Sequence, residues 1–156
     1  MKTLLILVGK TTDKHFQAGI NDYVERISHY MPFELVTIPE LKNTKNLSEE
    51  QQKTAEGELI LKQLQPSDTV VLLDEHGHEY RSIELARWLE QKRNTARRLV
   101  FIIGGPYGFS PAVYARANEQ LSLSRLTFSH QMVRLVFTEQ LYRACTIIKG
   151  EPYHHE

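Results

Sequence analysis

Residues 99–108 read Leu-Val-Phe-Ile-Ile-Gly-Gly-Pro-Tyr-Gly. Leu99 to Ile103 is an unbroken apolar run, the signature of a strand buried on both faces, as in a parallel sheet. Gly104-Gly105-Pro106-Tyr107-Gly108 then turns the chain, and glycines there permit a tight turn and a close approach of a ligand to the backbone. The spacing is not the Gly-x-Gly-x-x-Gly of a dinucleotide site. Taken alone, the turn is open to a ligand-binding and to a purely structural reading.

Working outward, the same strand signature recurs. Leu4 to Val8 ends at Gly9, Thr69 to Leu73 ends at Asp74, and Phe33, Leu35, Val36 and Ile38 end at Pro39. A short strand is expected near Leu121 to Leu123. Helices fill the intervals. Asp13 caps a segment with Phe16, Ile20, Tyr23, Val24 and Ile27 at helical spacing. Glu40 to Asn46 is a polar loop, after which Ser48 and Gln51 have capping-box spacing and open a helix running to about Gln65. Ser82 caps the next helix, Ser110-Pro111 starts another, and a last one runs from about Met132 to Ile148, ended by Gly150 and Pro152. Strictly alternating strands and helices define an α/β fold with a mostly parallel sheet and helices on both faces, in a single domain over 1–156. Ligands of such sheets sit outside the carboxyl ends of the strands. The places to examine are Gly9 onward, Leu73 to Gly77, Gly104 to Gly108, and the stretch after Leu123.

The 156 residues are 41% hydrophobic and 24% charged, which excludes a disordered chain and a collagen-like fibre. Nineteen basic against nineteen acidic residues give zero net charge, so a polyanion partner needs a local basic patch or a dimer that concentrates one. Cys145 stands alone, which excludes an intrachain disulfide and a cysteine zinc cluster and fits a reducing, cytoplasmic setting. No apolar run approaches the length of about 20 residues that spans a membrane, and Met1 to Val8 is too short for a signal peptide's apolar region.

Several motifs need weighing. Gly9-Lys10-Thr11 is not a P-loop, because Leu4 stands where its first glycine belongs. Ser122 to His130 is rich in hydroxyls and precedes an apolar helix, so it reads as an anion-binding helix start or as a capping loop with Ser129 or His130 as cap. Val133, Val136, Phe137, Leu141, Ala144, Cys145 and Ile148 give the last helix a broad apolar face, suited to deep packing or a subunit interface. Glu139 and Arg143 have the spacing of a surface ion pair. His76 and His78 are too sparse a set for a metal site, and the tail Tyr153-His154-His155 reads as disordered.

Four ordered motifs together resemble the RlmH family of SPOUT-class methyltransferases. They are Gly104-Gly105-Pro106-x-Gly108, then Leu121-Ser122-Leu123-Ser124-x-Leu126-Thr127-x-x-His130, then Val133-Arg134 with Glu139-Gln140-x-Tyr142-Arg143-Ala144, then Pro152-Tyr153-His154. The similarity extends over the whole chain, including Met31-Pro32-Phe33-Glu34-Leu35. The resemblance implies a C-terminal trefoil knot, a homodimer with the active site near the subunit interface, and methylation of N3 of a pseudouridine in large-subunit ribosomal RNA by S-adenosylmethionine. It implies no metal and no membrane. Its cofactor residues carry over to Leu73, Gly104, Gly105, Ser124, Arg125, Leu126, Thr127, Phe128 and Ser129. Ser129 departs from the proline usual before the loop histidine and is expected to alter loop stiffness.

For the chemistry, His154 and His130 are candidate bases for the N3 proton, Tyr153 orients the base, and Arg143 binds a phosphate or carbonyl of the target. The tail is then loosely held until RNA arrives. Lys and Arg are expected to cluster near the cofactor mouth of the dimer. The alternatives are a SPOUT methyltransferase for tRNA or an unmodified uridine, and a non-catalytic RNA- or ribosome-binding module of the same fold.

Overall fold

The computed structural model describes all 156 residues. Strands β1 (Lys2–Val8), β2 (Phe33–Ile38), β3 (Thr69–Glu79), β4 (Arg98–Ile103) and β5 (Glu119–Ser122) form one parallel sheet in the order β2-β1-β4-β3-β5. Helices α1 (Lys14–Ser28), α2 (Glu49–Lys62), α3 (Ser82–Thr95), α4 (Pro111–Arg116) and α5 (Met132–Lys149) alternate with them, and a short 3₁₀ turn (Thr44–Asn46) interrupts the loop before α2.

Strand alternation explains the unbroken apolar runs. Leu5 and Leu7 enter one core with Ile27 of α1, Leu89 of α3 and Phe137 of α5. Leu4, Ile6 and Val8 enter the other with Ile60 of α2 and Val113 of α4. A strand that serves two cores needs an apolar side chain at every position. The helix layers follow from direction. The β1→β2 and β3→β4 connections step one way along the sheet, and α1 and α3 share a face; β2→β3 and β4→β5 step the other way, and α2 and α4 share the opposite face. A single crossover hand produces this split. Neighbouring β3 and β4 therefore send their following chains to opposite faces, which opens a crevice at their carboxyl ends.

The broad apolar face of α5 is largely accounted for by packing against both α1 and α3. Its approach to α1 is close: a Cβ on Gly19 would stand 2.8 Å from Leu135 Cδ1. Its first turn is pinned to the end of β1 by Arg134, which is fully buried and donates to Val8 O at 2.7 Å, Gly9 O at 2.9 Å and Thr11 Oγ1 at 2.9 Å. Gln131 bonds the same segment, accepting from Thr12 N and donating to Lys10 O. The chain leaving β5 at the sheet edge thus crosses the carboxyl ends of β3 and β4 to reach β1. No helix is long and apolar enough to cross a membrane.

Three local expectations are corrected. Ser82 is not the cap of α3; Arg81 holds that position, and Glu84 Oε1 accepts its N–H at 2.7 Å, the half of a capping box that runs from the first turn back to the cap backbone. Helix α2 stops at Lys62, where Gln63 N and Leu64 N bond three residues back instead of four. Strand β3 does not end at Leu73. Leu73 and His78 both pair with Leu121, Glu79 pairs with Ser122, and Asp74 to Gly77 form the irregularity between them. The short edge partner β5 pairs with both halves of β3 and supplies hydrogen bonds that the isolated apolar run could not announce.

Candidate active site

The crevice at the carboxyl ends of β3, β4 and β5 is a cavity of about 600 Å³. Three segments wall it. The first is the end of β3, where Leu73 enters the cavity lining and Asp74 is clamped: its Oδ1 accepts from His76 N at 2.9 Å, and its Oδ2 accepts from the Tyr114 hydroxyl. Burial and this carboxylate push the Tyr114 phenol up to about 12.

The second wall is the turn after β4. Gly108 N donates to Gly105 O at 3.1 Å, and Gly108 has φ +81°, a conformation that favours glycine. Gly104 and Gly105 have another reason to lack side chains. A Cβ on Gly104 would stand 3.0 Å from the Phe109 ring, and one on Gly105 would stand 2.8 Å from Glu56 Oε1. Close approach at these two positions is by the protein's own groups.

The third wall is the loop from Leu123 to His130. Ser124 Oγ accepts from Leu126 N at 3.0 Å, and Ser122 Oγ donates to Ser124 O at 2.9 Å. Thr127 Oγ1 donates to Glu75 at 3.0 Å, and Arg125 pairs with Glu79 at 3.0 Å, so the loop is held to the β3 extension by side chains only. Leu126 is 74% exposed at the loop tip although it borders the cavity. Phe128 and His130 also border it. Ser129 accepts from Met132 N with its hydroxyl at 3.1 Å and from Val133 N with its carbonyl at 3.0 Å, so it caps the start of α5. The hydroxyl bond is one that a proline at this position could not accept.

Of the cofactor candidates, Leu73, Gly104, Gly105, Ser124, Leu126, Thr127 and Phe128 meet at the cavity, while Arg125 and Ser129 hold its loop without lining it. Of the catalytic candidates, only His130 is there. The other three gather further along α5. Glu139 Oε2 accepts from Arg143 Nη2 at 3.1 Å and from the Tyr153 hydroxyl at 3.0 Å, and Arg143 Nη1 lies 3.1 Å from His154 Nδ1. Val133 borders the cavity, and Arg143 is ten residues on, about 15 Å along the helix axis.

The tail is therefore not loose. Gly150, at φ +73°, ends α5 and turns the chain back, with Glu151 N donating to Thr146 O at 3.0 Å. The Tyr153 ring then packs on Tyr142 at 4.7 Å and under the Arg143 guanidinium at 4.8 Å. Burial, then hydrogen bonds to Tyr23 and Glu139, raise the Tyr153 phenol well above its ordinary value. Arg143, not Tyr153, is the residue that holds His154. Because a guanidinium only donates, Nδ1 of His154 is an acceptor there, and the neutral ring carries its hydrogen on Nε2. That Nε2 is buried and makes no hydrogen bond, although the Glu156 carboxylate lies 3.5 Å away.

Two roles escaped the sequence reading. Glu139 is the hub of the tail cluster, beyond the simple ion pair its spacing suggests. Glu56 is buried behind the Gly105 turn; its one signal was a carboxylate in helical phase with Ile60 on the buried side of α2. The expected basic rim is not met within one chain, since Asp74, Glu75 and Glu79 stand beside Arg125 at the mouth.

A loop-walled cavity at the carboxyl ends of the strands is where α/β sheets bind their ligands. A family model described as "Predicted SPOUT methyltransferase" matches residues 1–154, and the chain belongs to this family. It is 64% identical over 157 residues to the "Ribosomal RNA large subunit methyltransferase H" of Phocaeicola vulgatus, covering 100% of both chains. The protein of the same name from Bacteroides fragilis is 63% identical over 157 residues, again with 100% of both chains covered. That of Christiangramia forsetii is 56% identical over 156 residues, with 99% of each covered.

Proposed function

We propose that the chain is a cytoplasmic, homodimeric methyltransferase that uses S-adenosylmethionine to methylate N3 of a pseudouridine in large-subunit ribosomal RNA. One observation carries this reading: over its whole length the chain matches proteins named for large-subunit ribosomal RNA methylation, and its cavity is lined by the motif residues of that resemblance. The cavity fits the cofactor. Its volume lies within the range of about 300–1,000 Å³ usual for such ligands, and Leu73, Leu123, Leu126 and Phe128 offer apolar surface beside the open backbone of the Gly104–Gly108 turn. When bound, S-adenosylmethionine supplies a methyl group on a positively charged sulfur, already electrophilic.

The chain's own residues must align the target and receive the N3 proton. His154 is suited to hold rather than to abstract: with Nδ1 occupied by Arg143, its Nε2–H, buried beside the Glu156 carboxylate at 3.5 Å, can donate to a carbonyl of the target base once the end of the tail moves aside. His130, bordering the cavity, is then the group placed to take the proton, directly or through a water. Arg143 and Glu139 act through His154 and Tyr153 as positioning residues. The tail cluster cannot reach the cavity of its own chain along α5, which supports a homodimer whose partner copy brings it there. The crossing of the chain from β5 to β1 supports the trefoil knot.

The test is transfer of a labelled methyl from S-adenosylmethionine to ribosomes lacking the modification, with mass spectrometry of the RNA. One methyl on one large-subunit pseudouridine is expected. Incorporation only into tRNA, or none despite cofactor binding, sinks the reading.

A further inference from the structure

Glu56 and Asp68 are the two carboxylates that the fold buries, and their surroundings are opposite. Asp68 is held by Arg98 through two hydrogen bonds, at 2.8 and 2.6 Å. Glu56, 5% exposed, forms no ion pair: Gln52 Nε2 donates to its Oε2 at 3.2 Å, and the charged group acting on it is another acid, Glu40. Burying a carboxylate without a cation opposes folding, and burial accordingly raises Glu56 toward its neutral form. An apolar residue of that size would serve the core better, so the group's place needs another reason.

Its place is directly behind the β4–α4 connection. Glu56 Oε1 would lie 2.8 Å from a Cβ on Gly105, and the next residue, Gly57, has its missing Cβ 2.4 Å from Ser110 Oγ. Consecutive residues of α2 thus seat both ends of the Gly105–Ser110 segment, whose other side is the cavity wall. The side chain that Gly105 lacks would point at Glu56, which does not line the cavity.

We propose that Glu56 is a positioning residue for the cofactor: it supports the Gly104–Gly108 turn from behind, and Gly105 is glycine because Glu56 is there. This rests on the reading of the cavity as the cofactor site. Hydrogen exchange on the unliganded protein tests the support itself. Glu56→Ala speeds exchange of the amides from 104 to 109 by about tenfold or more and leaves those of β4 unchanged. Gly105→Ala, which keeps Glu56 and forces its carboxylate away, gives the same signature by a separate route.

Both variants raise the KM for S-adenosylmethionine about tenfold with kcat within about twofold, and the double variant is less impaired than the product of the singles. Glu56→Gln, which keeps the shape, stays within about threefold of wild type on both parameters. Unchanged exchange in the turn, or strictly multiplicative singles, overturns the proposal, as does a Glu56→Gln loss equal to that of Glu56→Ala. Faster exchange in a protein whose wild type binds no S-adenosylmethionine overturns the cofactor reading instead and leaves the support of the turn standing.

Discussion

The two edges of the sheet are built to different ends. At the amino edge, charge closes the structure. Arg98 grips Asp68, Lys2 pairs with Glu34 at 2.6 Å, and Arg116 donates to Gln65 O at 2.8 Å and Asp68 O at 3.1 Å. At the carboxyl edge, Arg134 seals the end of β1 and Gly9 N closes on Ile38 O of β2, whereas the ends of β3, β4 and β5 open into the cavity. The loop over that cavity is held by exposed polar contacts and presents a largely exposed leucine. Charge and hydrogen bonding are concentrated at the closed end, and the weakly held segment is the one that borders the cavity proposed for the cofactor.

This contrast can be broken by substitution. The largest effect is expected from cutting the chain after Gly150. Losing Tyr153 and His154 lowers methyl transfer by about 100-fold or more, while the thermal midpoint moves little, because the core beneath α5 remains. A truncated protein with full turnover would remove the tail from the chemistry.

Next comes Arg134→Met, which strands the buried carbonyls of Val8 and Gly9. Denaturant unfolding should show a loss of about 3 kcal/mol, and a loss below about 1 kcal/mol would mean that β1 does not need this seal. Asp68→Asn, which keeps the shape but weakens the charge-assisted hydrogen bonds to Arg98, is expected to cost about 2 kcal/mol at neutral pH with cofactor affinity unchanged. The sign of its pH dependence follows from Asp68 itself. Burial alone would raise its carboxyl, but Arg98 and the Gln65 N–H outweigh burial and hold it below its ordinary value. The stabilisation is therefore present above the unfolded-state pKa of about 3.9 and is lost as the pH falls through the lower folded value. Melting curves from neutral pH into that acid range should show wild type and Asp68→Asn converging. The smallest effect is that of Leu126→Ser, a loss of cofactor affinity of about tenfold or less in calorimetry, with no change in melting.

Much of the candidate site was legible because the residues that line it sit in short contiguous motifs. Gly104 to Gly108 and Ser124 to Ser129 both flank the cavity, as the strand-end rule and the resemblance led one to expect. What stayed hidden were relations between distant residues. Gly105 owes its lack of a side chain to Glu56, about fifty positions earlier, and no local pattern couples the two. Ser82 has the residue type of a cap, yet it stands one position inside the helix, and the N–H of the cap residue Arg81 is taken by Glu84. The tail resembles a frayed end, since nothing in Tyr-His-His specifies a partner; Glu139, Tyr142 and Arg143 supply three.

The sequence by itself determined the layered α/β fold. Unbroken apolar strands demand cover on both faces, and helical spacing between them supplies it, because burial is a property of each segment's own pattern. Only the tertiary structure decided which carboxyl ends are sealed and which stay open, and that the tail cluster gathers on α5 away from its own chain's cavity. Those outcomes depend on where the chain crosses from β5 to β1, and a crossing is a relation among segments that no single segment encodes.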